Sequence, residues 1–412
     1  MNNDKPQVAG EWLVFCVIVV DLIGFGIVIP ILPFITPMLG GGEFDVALVV
    51  AIYSFCAGIT GPFWGALSDR LGRRSVLMIC LAGGALSYLL LGLASELWMV
   101  YAARAFSGVM AGSLPVASAL MADVSLPDKR AKAMGLVGTA FGLGLILGPL
   151  IGGLLAGDGT SFALAGAFAG GLSLSSVVLA WLLLPYDRPS LQTQKRSAAA
   201  QPRASGQQFI VQSRSGLLLL QYVLHTLAVS SAIYLTPLWL AALLEWGPRE
   251  IGLLFGLVGL GMIVIQGGLL DGLTRRFGLL RVLRTGAVIF AVSLLLVPFT
   301  EGTYPRAIAV FMVFTGATCV LPVLNTIASF AVDADSRGRM MGFTAFAASI
   351  GRVAGPLISG GLLLWGGYTL AWLAVALPVM CVWFWSLSAA RRYDGGHHRS
   401  AATQIASRVA PG

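Results

Sequence analysis

Charged residues are scarce in this sequence. Asp, Glu, Lys and Arg together make up 11% of its 412 residues, whereas 57% of the residues are hydrophobic. A soluble domain carries roughly 25% charged residues. The composition therefore excludes an ordinary soluble protein and predicts a chain that lies in a membrane.

Motifs for nucleotide and metal chemistry are also missing. The sequence has no Gly-x-x-x-x-Gly-Lys phosphate-binding loop, no His-Glu-x-x-His zinc motif and only three histidines. Its five cysteines lie in apolar stretches, where we expect them to be small apolar side chains; they are Cys16, Cys56, Cys80, Cys319 and Cys381. We therefore expect no enzyme activity, no cofactor and no metal.

Long apolar runs dominate what is present. A helix rises about 1.5 Å per residue, so about twenty apolar residues cross a hydrocarbon core about 30 Å thick. Twelve such runs lie at 12–37, 46–67, 76–94, 98–121, 134–155, 162–184, 217–243, 250–271, 280–298, 305–331, 340–364 and 368–388. The predicted fold class is an all-α membrane protein with twelve transmembrane helices.

The basic residues are concentrated on one side of these spans. Of the 26 Lys and Arg residues, all except Arg104, Arg249, Arg306 and Arg352 fall at the termini or in the loops on the N-terminal side. The positive-inside rule therefore predicts that both termini are cytoplasmic. The net charge of +8 reflects this topology, and we expect no binding of nucleic acid.

The second half of the chain repeats the first. A shift of 207 residues places Gly148-Pro149 on Gly355-Pro356, and Leu114-Pro115-Val116 on Leu321-Pro322-Val323. Equal numbers of spans in the same orientation predict two parallel six-helix repeats. The predicted division is an N-terminal half at 1–184, a cytoplasmic linker at 185–216, a C-terminal half at 217–390 and a cytoplasmic tail at 391–412.

Three motifs connect this architecture to a known family. They are Gly65-Ala-Leu-Ser-Asp-Arg-Leu-Gly-Arg-Arg74 between the second and third spans, Arg104-Ala-Phe-Ser-Gly108 in the fourth, and Gly144-Leu-Ile-Leu-Gly-Pro-Leu-Ile-Gly-Gly153 in the fifth. The chain resembles the major facilitator superfamily, and with Asp21 in the first span it is similar to drug-proton antiporters, in particular the tetracycline efflux pumps. Ser87 stands where those pumps carry an acid in the third span, so the resemblance does not specify tetracycline as the substrate.

Asp21 and Arg104 are the candidate proton-coupling residues. Asp21 lies near the middle of the bilayer, where a carboxyl is costly and is expected to face a cavity or a partner. We expect it to carry the proton; the alternative is a structural acid bonded to neighbouring helices. Arg104 is expected to hold the proline-bent end of the first span or to meet an anionic substrate, and a purely structural role stays open.

The resemblance also implies a conformational latch and a packing motif. The latch, which would hold the outward-open state, consists of Gly65, Asp69, Arg70, Gly72, Arg73 and Asp123. The antiporter packing motif consists of Gly144, Gly148, Pro149 and Gly152, whose spacing predicts a flat face on which another helix packs and slides. Anchoring of the topology by the cations alone, and simple close packing of the glycines, are the respective alternatives.

Polar residues in the C-terminal half are candidates for lining a substrate cavity. They are Gln221, His225, Tyr234, Asn325 and Arg352. Arg352 lies deep in a span without an accompanying acid, which implies a cage of carbonyls, a water network or an anionic group on the substrate. Interhelical hydrogen bonding or core packing is the alternative for the other four.

The leading functional hypothesis is proton-coupled export of a small drug-like or amphipathic molecule by alternating access. The alternative is a transporter of an anionic metabolite held by Arg352 and Arg104, and a third possibility is a non-transporting membrane receptor. The expected partners are a small-molecule substrate, protons and the lipid bilayer, and the chain is expected to be a monomer. The resemblance implies a multi-pass protein of the inner (cell) membrane of a bacterium.

Overall fold

The computed structural model of this chain consists of helices joined by short connections, and its described residues are 5–125, 130–157, 159, 161–184, 215–332 and 336–409. Side chains are described over these ranges except at 5–9, 130–132, 337–338 and 389–409. The predicted linker at 185–216 lies outside them except for its last two residues.

Six helices form the N-terminal half. Two of them, α1 and α4, are interrupted. The helices are α1 (Lys5–Val28, continued by Leu32–Met38), α2 (Glu43–Leu71), α3 (Arg73–Gly92), α4 (Leu97–Val109, continued by Ser113–Val124), α5 (Arg130–Ala156) and α6 (Ala163–Leu183).

Six further helices form the C-terminal half. They are α7 (Gly216–Leu244), α8 (Pro248–Val264, the π-helical turn Ile265–Leu269, then Leu270–Phe277), α9 (Leu279–Leu296), α10 (Thr303–Phe330), and α11 and α12 within Arg337–Val409. Gly366 and Gly367 depart from helical backbone angles and divide this last stretch into α11 (337–365) and α12 (368–409).

The prediction of twelve transmembrane helices is confirmed. Within the described residues, eleven continuous segments are long and apolar enough to cross a membrane, and the last of them, Arg339–Ser388, contains both α11 and α12. The backbone of α12 continues as a helix through the predicted tail as far as Val409. The two six-helix halves of the prediction are therefore present.

Proline and glycine explain the interruptions. Pro30 has no N–H to donate to the carbonyl of Gly26, and the chain tightens there, so that the N–H of Ile29 donates to that carbonyl over 3.2 Å. In α4, Pro115 likewise lacks the N–H that a continuous helix would need, and the first segment ends at Val109.

The backbone repeats between the halves as the sequence does. Gly72 joins α2 to α3 with φ 95° and ψ 144°, and Gly278 joins α8 to α9 with φ 86° and ψ 153°. Residues with a side chain rarely adopt such a positive φ, so glycine is required at both joints. The shared conformation confirms that the halves are structural repeats.

The two ends of the helical bundle differ in charge. The end at which α2 meets α3, here called the basic end, carries Arg70, Arg73, Arg74, Arg275, Arg276, Arg281 and Arg284. The other end, here called the acidic end, carries Glu43, Asp45, Glu96, Glu245, Glu250 and Glu301. The described positions of these residues agree with the distribution in the sequence.

The two halves meet near the acidic end. The Tyr234 hydroxyl of α7 donates to the backbone carbonyl of Glu43 over 2.8 Å, and the Tyr368 hydroxyl of α12 lies 2.6 Å from the Glu43 carboxylate. On the other side of the bundle, α5 and α8 touch backbone to backbone, because Gly153 and Gly252 leave no side chain between them. These contacts close the acidic end.

The helices α2 and α11 separate toward the basic end. On α2, Gly58 lies against Ser349 of α11, but a side-chain carbon added at Gly61, at Gly65 or at Gly342 of α11 would meet no other atom within 4 Å. The three glycines of α2 are three and four residues apart, and Gly342 is seven residues, or two turns, before Ser349, so the positions on each helix share one face. A cleft therefore opens between the halves at the basic end.

Candidate functional site

Asp21 is held in the interior of the N-terminal half by two serines. Its side chain is only 8% exposed. The Ser113 hydroxyl of α4 donates to Oδ2 over 2.7 Å, and the Ser173 hydroxyl of α6 lies 3.2 Å from Oδ1. Among the described residues, no cation forms an ion pair with this carboxyl. Asp21 is thus a buried acid with polar but uncharged partners.

Ser173 has two acceptors for one proton. Its hydroxyl lies 3.2 Å from Asp21 and 3.0 Å from the backbone carbonyl of Leu81. When Asp21 is ionised, Ser173 can donate to the carboxylate. When Asp21 is protonated, the carboxyl can donate to Ser173, which then donates to Leu81. The network therefore satisfies either protonation state without moving a helix.

A small cavity adjoins this carboxyl. It has a volume of about 10 Å³ and is lined by Asp21, Ser113 and apolar side chains of α1, α3 and α4. A cavity of that volume holds about one water molecule. A single water beside Asp21 would be a donor or acceptor for its proton.

Arg104 does not contact Asp21. Its guanidinium carbon lies 4.3 Å from the centre of the Tyr53 ring on α2, and the side chain is 5% exposed. Its Nε is buried and has no hydrogen-bond acceptor. The described structure has no hydrogen bond between Arg104 and the bent end of α1, where the carbonyl of Gly26 accepts from the N–H of Ile29.

Arg352 lies on the C-terminal side of the cleft. Its Nη2 donates to the Ser349 hydroxyl over 2.9 Å, one turn earlier on α11. The residue is exposed, and its partner Ser349 lies against Gly58 of α2 in the opposite half. Arg352 and Arg104 therefore lie near the same helix, α2, from the two halves.

The predicted latch residues form a network within the N-terminal half. Arg73 Nη2 lies 2.5 Å from Asp69, its Nε lies 3.2 Å from Asp123, and its Nη1 donates to Ser68 over 2.5 Å. This network joins the ends of α2, α3 and α4. Since the cleft is open beside Gly65, α2 and α11 are apart where a latch between the halves would form.

The other two latch residues have separate places. Gly72 supplies the positive φ of the joint between α2 and α3. Arg70 is exposed at the basic end.

The predicted packing motif lies against α1. Side-chain carbons added at Gly144, Gly148 or Gly152 would clash with the backbone of α1, at Leu22, Gly26 and Ile27 respectively. Pro149, which follows Gly148, lies near Gly26 as well. The glycines thus permit contact of two helix backbones, and in the repeat Gly351 and Gly355 contact α7 in the same manner.

Three of the predicted cavity residues are buried in packing instead. Gln221 donates to the carbonyl of Leu217 in its own helix, and His225 packs edge-on against Phe290 with ring centres 6.0 Å apart. Tyr234 is 2% exposed and bonds to Glu43. In this conformation none of the three lines the cleft, because each faces the interior of the half or the closed acidic end.

Asn325 is the remaining cavity candidate. It is exposed on α10, and its Oδ1 accepts from the Tyr222 hydroxyl over 2.8 Å. Of the five predicted residues, Asn325 and Arg352 are therefore the ones with exposed side chains.

Comparison with known proteins places the chain in a family. The sequence profile of the Major Facilitator Superfamily matches residues 14–271 and 218–410. The chain belongs to the major facilitator superfamily. It is therefore an integral, multi-pass membrane protein and a transporter, not an enzyme.

Individual relatives agree with this membership. The class D tetracycline resistance protein of Salmonella ordonez is 31% identical over 366 residues, which cover 86% of this chain and 89% of the relative. The quinolone resistance protein NorA of Staphylococcus aureus (strain MSSA476) is 27% identical over 82% of this chain and 86% of its own.

Solved structures show the same fold. The human organic anion transporter MFSD10 (TETRAN) matches with a TM-score of 0.70 and 22% identity over 92% of this chain and 99% of its own. The nucleoside transporter NupG matches with a TM-score of 0.73 and 13% identity over 93% of this chain and 99% of its own.

Several residues of this transporter's site were not predicted from the sequence. Ser113 and Ser173 bond to Asp21, and Tyr53 contacts Arg104. The polar run that includes Ser173, inside an otherwise apolar span, was a signal for a buried polar partner. Tyr53 gave no such signal, because one tyrosine in a span is common and its neighbours come from other helices. Glu43 and Tyr368 were also missed, since each lies at the edge of a span.

Proposed function

We propose that this transporter exports a small drug-like, amphipathic molecule in exchange for protons, with Asp21 as the proton carrier. The observation that carries the proposal is the network around Asp21. A buried carboxyl with two serine partners and no cation accepts a proton without leaving an unpaired charge in the membrane. The relatives named for tetracycline and quinolone resistance support export of a drug-like substrate.

The orientation proposed here puts the basic end in the cytoplasm. The positive-inside rule favours this direction, because most of the described arginines lie at the basic end. The cleft then opens toward the cytoplasm, and substrate enters from that side. Both termini are cytoplasmic in this orientation.

The contacts between the halves support alternating access. In the present conformation the acidic end is closed by α2 with α7 and α12, and by α5 with α8. Rocking of the halves would break these contacts and close the cleft, bringing Asp69 of the latch toward α11. The network of Arg73 stays within one half, so it can move as a unit.

The test uses protein in liposomes that hold a pH-sensitive dye. An imposed pH gradient is challenged with tetracycline and with the quinolone norfloxacin, and Asp21→Asn is compared with the parent chain. Asp271→Asn is the matched control, because Asp271 is exposed at the basic end and is paired only with Arg275 in the described structure. We expect substrate-triggered proton movement in the parent and the control, and its loss in Asp21→Asn.

Two results would contradict the proposal. Substrate flux that ignores both the gradient and Asp21→Asn would identify a facilitator without proton coupling. Equal loss of proton movement in Asp21→Asn and Asp271→Asn would show that the effect does not depend on the buried site.

A further inference from the structure

We propose that Arg104 and Arg352 together bind one anionic group of the exported molecule, beside the ring of Tyr53. The inference rests on the proposed export function and specifies its substrate class as an amphipathic organic anion, or a zwitterion with an exposed carboxylate or sulfonate. The two arginines come from opposite halves, so the bound anion would bridge the cleft.

Both cations lack an anionic partner in the described part of the chain. No ion pair involves Arg104 or Arg352 there. Arg104 is 5% exposed, and its buried Nε has no acceptor. A buried guanidinium without an acceptor is costly, because its charge loses the stabilisation that water would give it. A ligand that supplies acceptor oxygens would remove that cost.

Close helix packing fixes the position of Arg104 and Tyr53. Gly108 lies one turn after Arg104, and an added side-chain carbon there would lie 2.5 Å from the backbone carbonyl oxygen of Tyr53. The absence of a side chain at Gly108 therefore lets α4 approach α2 at this level. Trp64 strengthens the approach, because its Nε1 donates to the carbonyl of Val109 over 2.6 Å.

The C-terminal half contributes Arg352 at the same level. Ser349 holds Nη2 of Arg352 and lies against Gly58 of α2, where an added carbon would be 3.2 Å from Ser349 Cβ. Tyr53 lies farther along α2 toward the acidic end, as Arg352 does along α11 relative to Ser349. Arg104 therefore lies over the Tyr53 ring of α2, and Arg352 lies one turn of α11 beyond the contact of Ser349 with the same helix.

The site is open on one side only. Beyond the contact of Gly58 with Ser349 the faces of α2 and α11 separate toward the basic end, whereas Gly360 of α11 packs against Ala47 of α2 toward the acidic end. The Arg352 side chain is exposed, so a ligand can reach it.

The chemistry of the site selects the class of ligand. Guanidinium groups bind carboxylates through paired, charge-assisted hydrogen bonds. Tyr53 contributes an aromatic surface and packs against Phe25 with ring centres 5.5 Å apart. A flat apolar body with one anionic group matches these features. Two like charges without a ligand repel across the cleft, and an anion between them turns this repulsion into attraction.

The experiment compares ligands that differ only in one group. Radiolabelled 2-naphthoate, 2-naphthamide and 2-naphthylmethylammonium are bound to the purified protein in lipid nanodiscs by equilibrium dialysis. We expect the parent chain to bind 2-naphthoate more tightly than the other two ligands. In Arg352→Gln the affinity for 2-naphthoate should be about 10-fold or more weaker than in the parent chain, whereas the affinity for 2-naphthamide should stay within about 2-fold. The unchanged amide serves as the check that the variant is folded.

Arg275→Gln is the matched control. Arg275 is 80% exposed at the basic end, so its replacement removes the same charge far from the site. Arg352→Lys, which keeps the charge but loses the paired geometry, is expected to lie between the parent chain and Arg352→Gln.

Three outcomes would overturn the inference: no binding of 2-naphthoate by the parent chain, equal affinities for the anion and the amide, or equal losses in Arg352→Gln and Arg275→Gln. These outcomes are independent of proton coupling, because dialysis requires no gradient. The proposed function fails separately, if Asp21→Asn leaves substrate-triggered proton movement intact.

Discussion

The contact between Glu43 and Tyr368 should set how often the acidic end opens. Tyr368 is the donor in a 2.6 Å hydrogen bond to the Glu43 carboxylate, and its hydroxyl lies 3.2 Å from the carbonyl of Leu238. Tyr368→Phe removes the hydroxyl and keeps the ring. Its effect should therefore fall on the equilibrium between the two conformations, because the bond joins opposite halves.

The magnitude follows from the kind of bond. A hydrogen bond to a charged group contributes about 1.5–3 kcal/mol, and the partial exposure of Glu43 lowers this to about 1–2 kcal/mol. That difference corresponds to a change of roughly 5- to 30-fold in an equilibrium constant. If the state open at the acidic end is the minor one, its population should rise by about this factor.

A single reactive cysteine measures that population. Val46 is 1% exposed and packs in the core of the C-terminal half, although it belongs to α2 of the N-terminal half. In a background where the five native cysteines are replaced by alanine, Val46→Cys should react with a water-soluble maleimide only when the acidic end opens. Its rate in proteoliposomes should increase about 10-fold when Tyr368→Phe is added.

The control is Tyr304→Phe, the same change at the same end of the bundle. Tyr304 is 82% exposed, so the loss of its hydroxyl should leave the labelling rate within about 2-fold. Equal rates for Tyr368→Phe and Tyr304→Phe would refute the assignment of the Glu43 contact as a gate between the halves.

Two further perturbations test the packing motif and the latch. Gly148→Ala should lower the stability of the protein by about 1–3 kcal/mol and reduce export, because the methyl group would overlap the backbone of Gly26. Gly138→Ala on the same helix should do neither, because its methyl group would meet no neighbouring atom within 4 Å. Equal melting temperatures for the two variants would contradict this reasoning. Arg73→Ala should reduce export, because it removes the link between Asp69 and Asp123. Arg275→Ala, the control, should change stability by less than about 0.5 kcal/mol. Thermal unfolding and drug export are measured for both variants, and similar losses in both would argue that charge alone matters.

Much of the fold could be predicted from the sequence because membrane spans impose strong patterns. The length of the apolar runs, the position of the cations and the shift of 207 residues each follow from local composition. Asp21 could be singled out for the same reason, since an acid in a span is costly wherever it lies.

The partners of the site residues could not be predicted in this way. Whether Arg104 meets Gly26 or Tyr53 depends on the rotation of α4 about its axis, and that rotation is set by close contacts such as Gly108 against α2. Burial of Gln221 and His225 likewise depends on which face of α7 points inward. Hydropathy in a span does not determine this, because the lipid-facing and interior-facing sides are both apolar.

The two halves share a backbone fold but differ in the positions of their buried ionisable residues. At a distance of 207 residues, Asp21 corresponds to Ala228, Arg104 to Phe311 and Arg352 to Leu145. Each of these three ionisable residues thus occurs in one half only, whereas Gly144 and Gly148 correspond to Gly351 and Gly355, and Gly72 corresponds to Gly278 at a shift of 206. A protein made of two identical N-terminal halves would keep the scaffold and have two buried acids, but it would lose Arg352. The two halves therefore have distinct chemical identities on a common backbone frame.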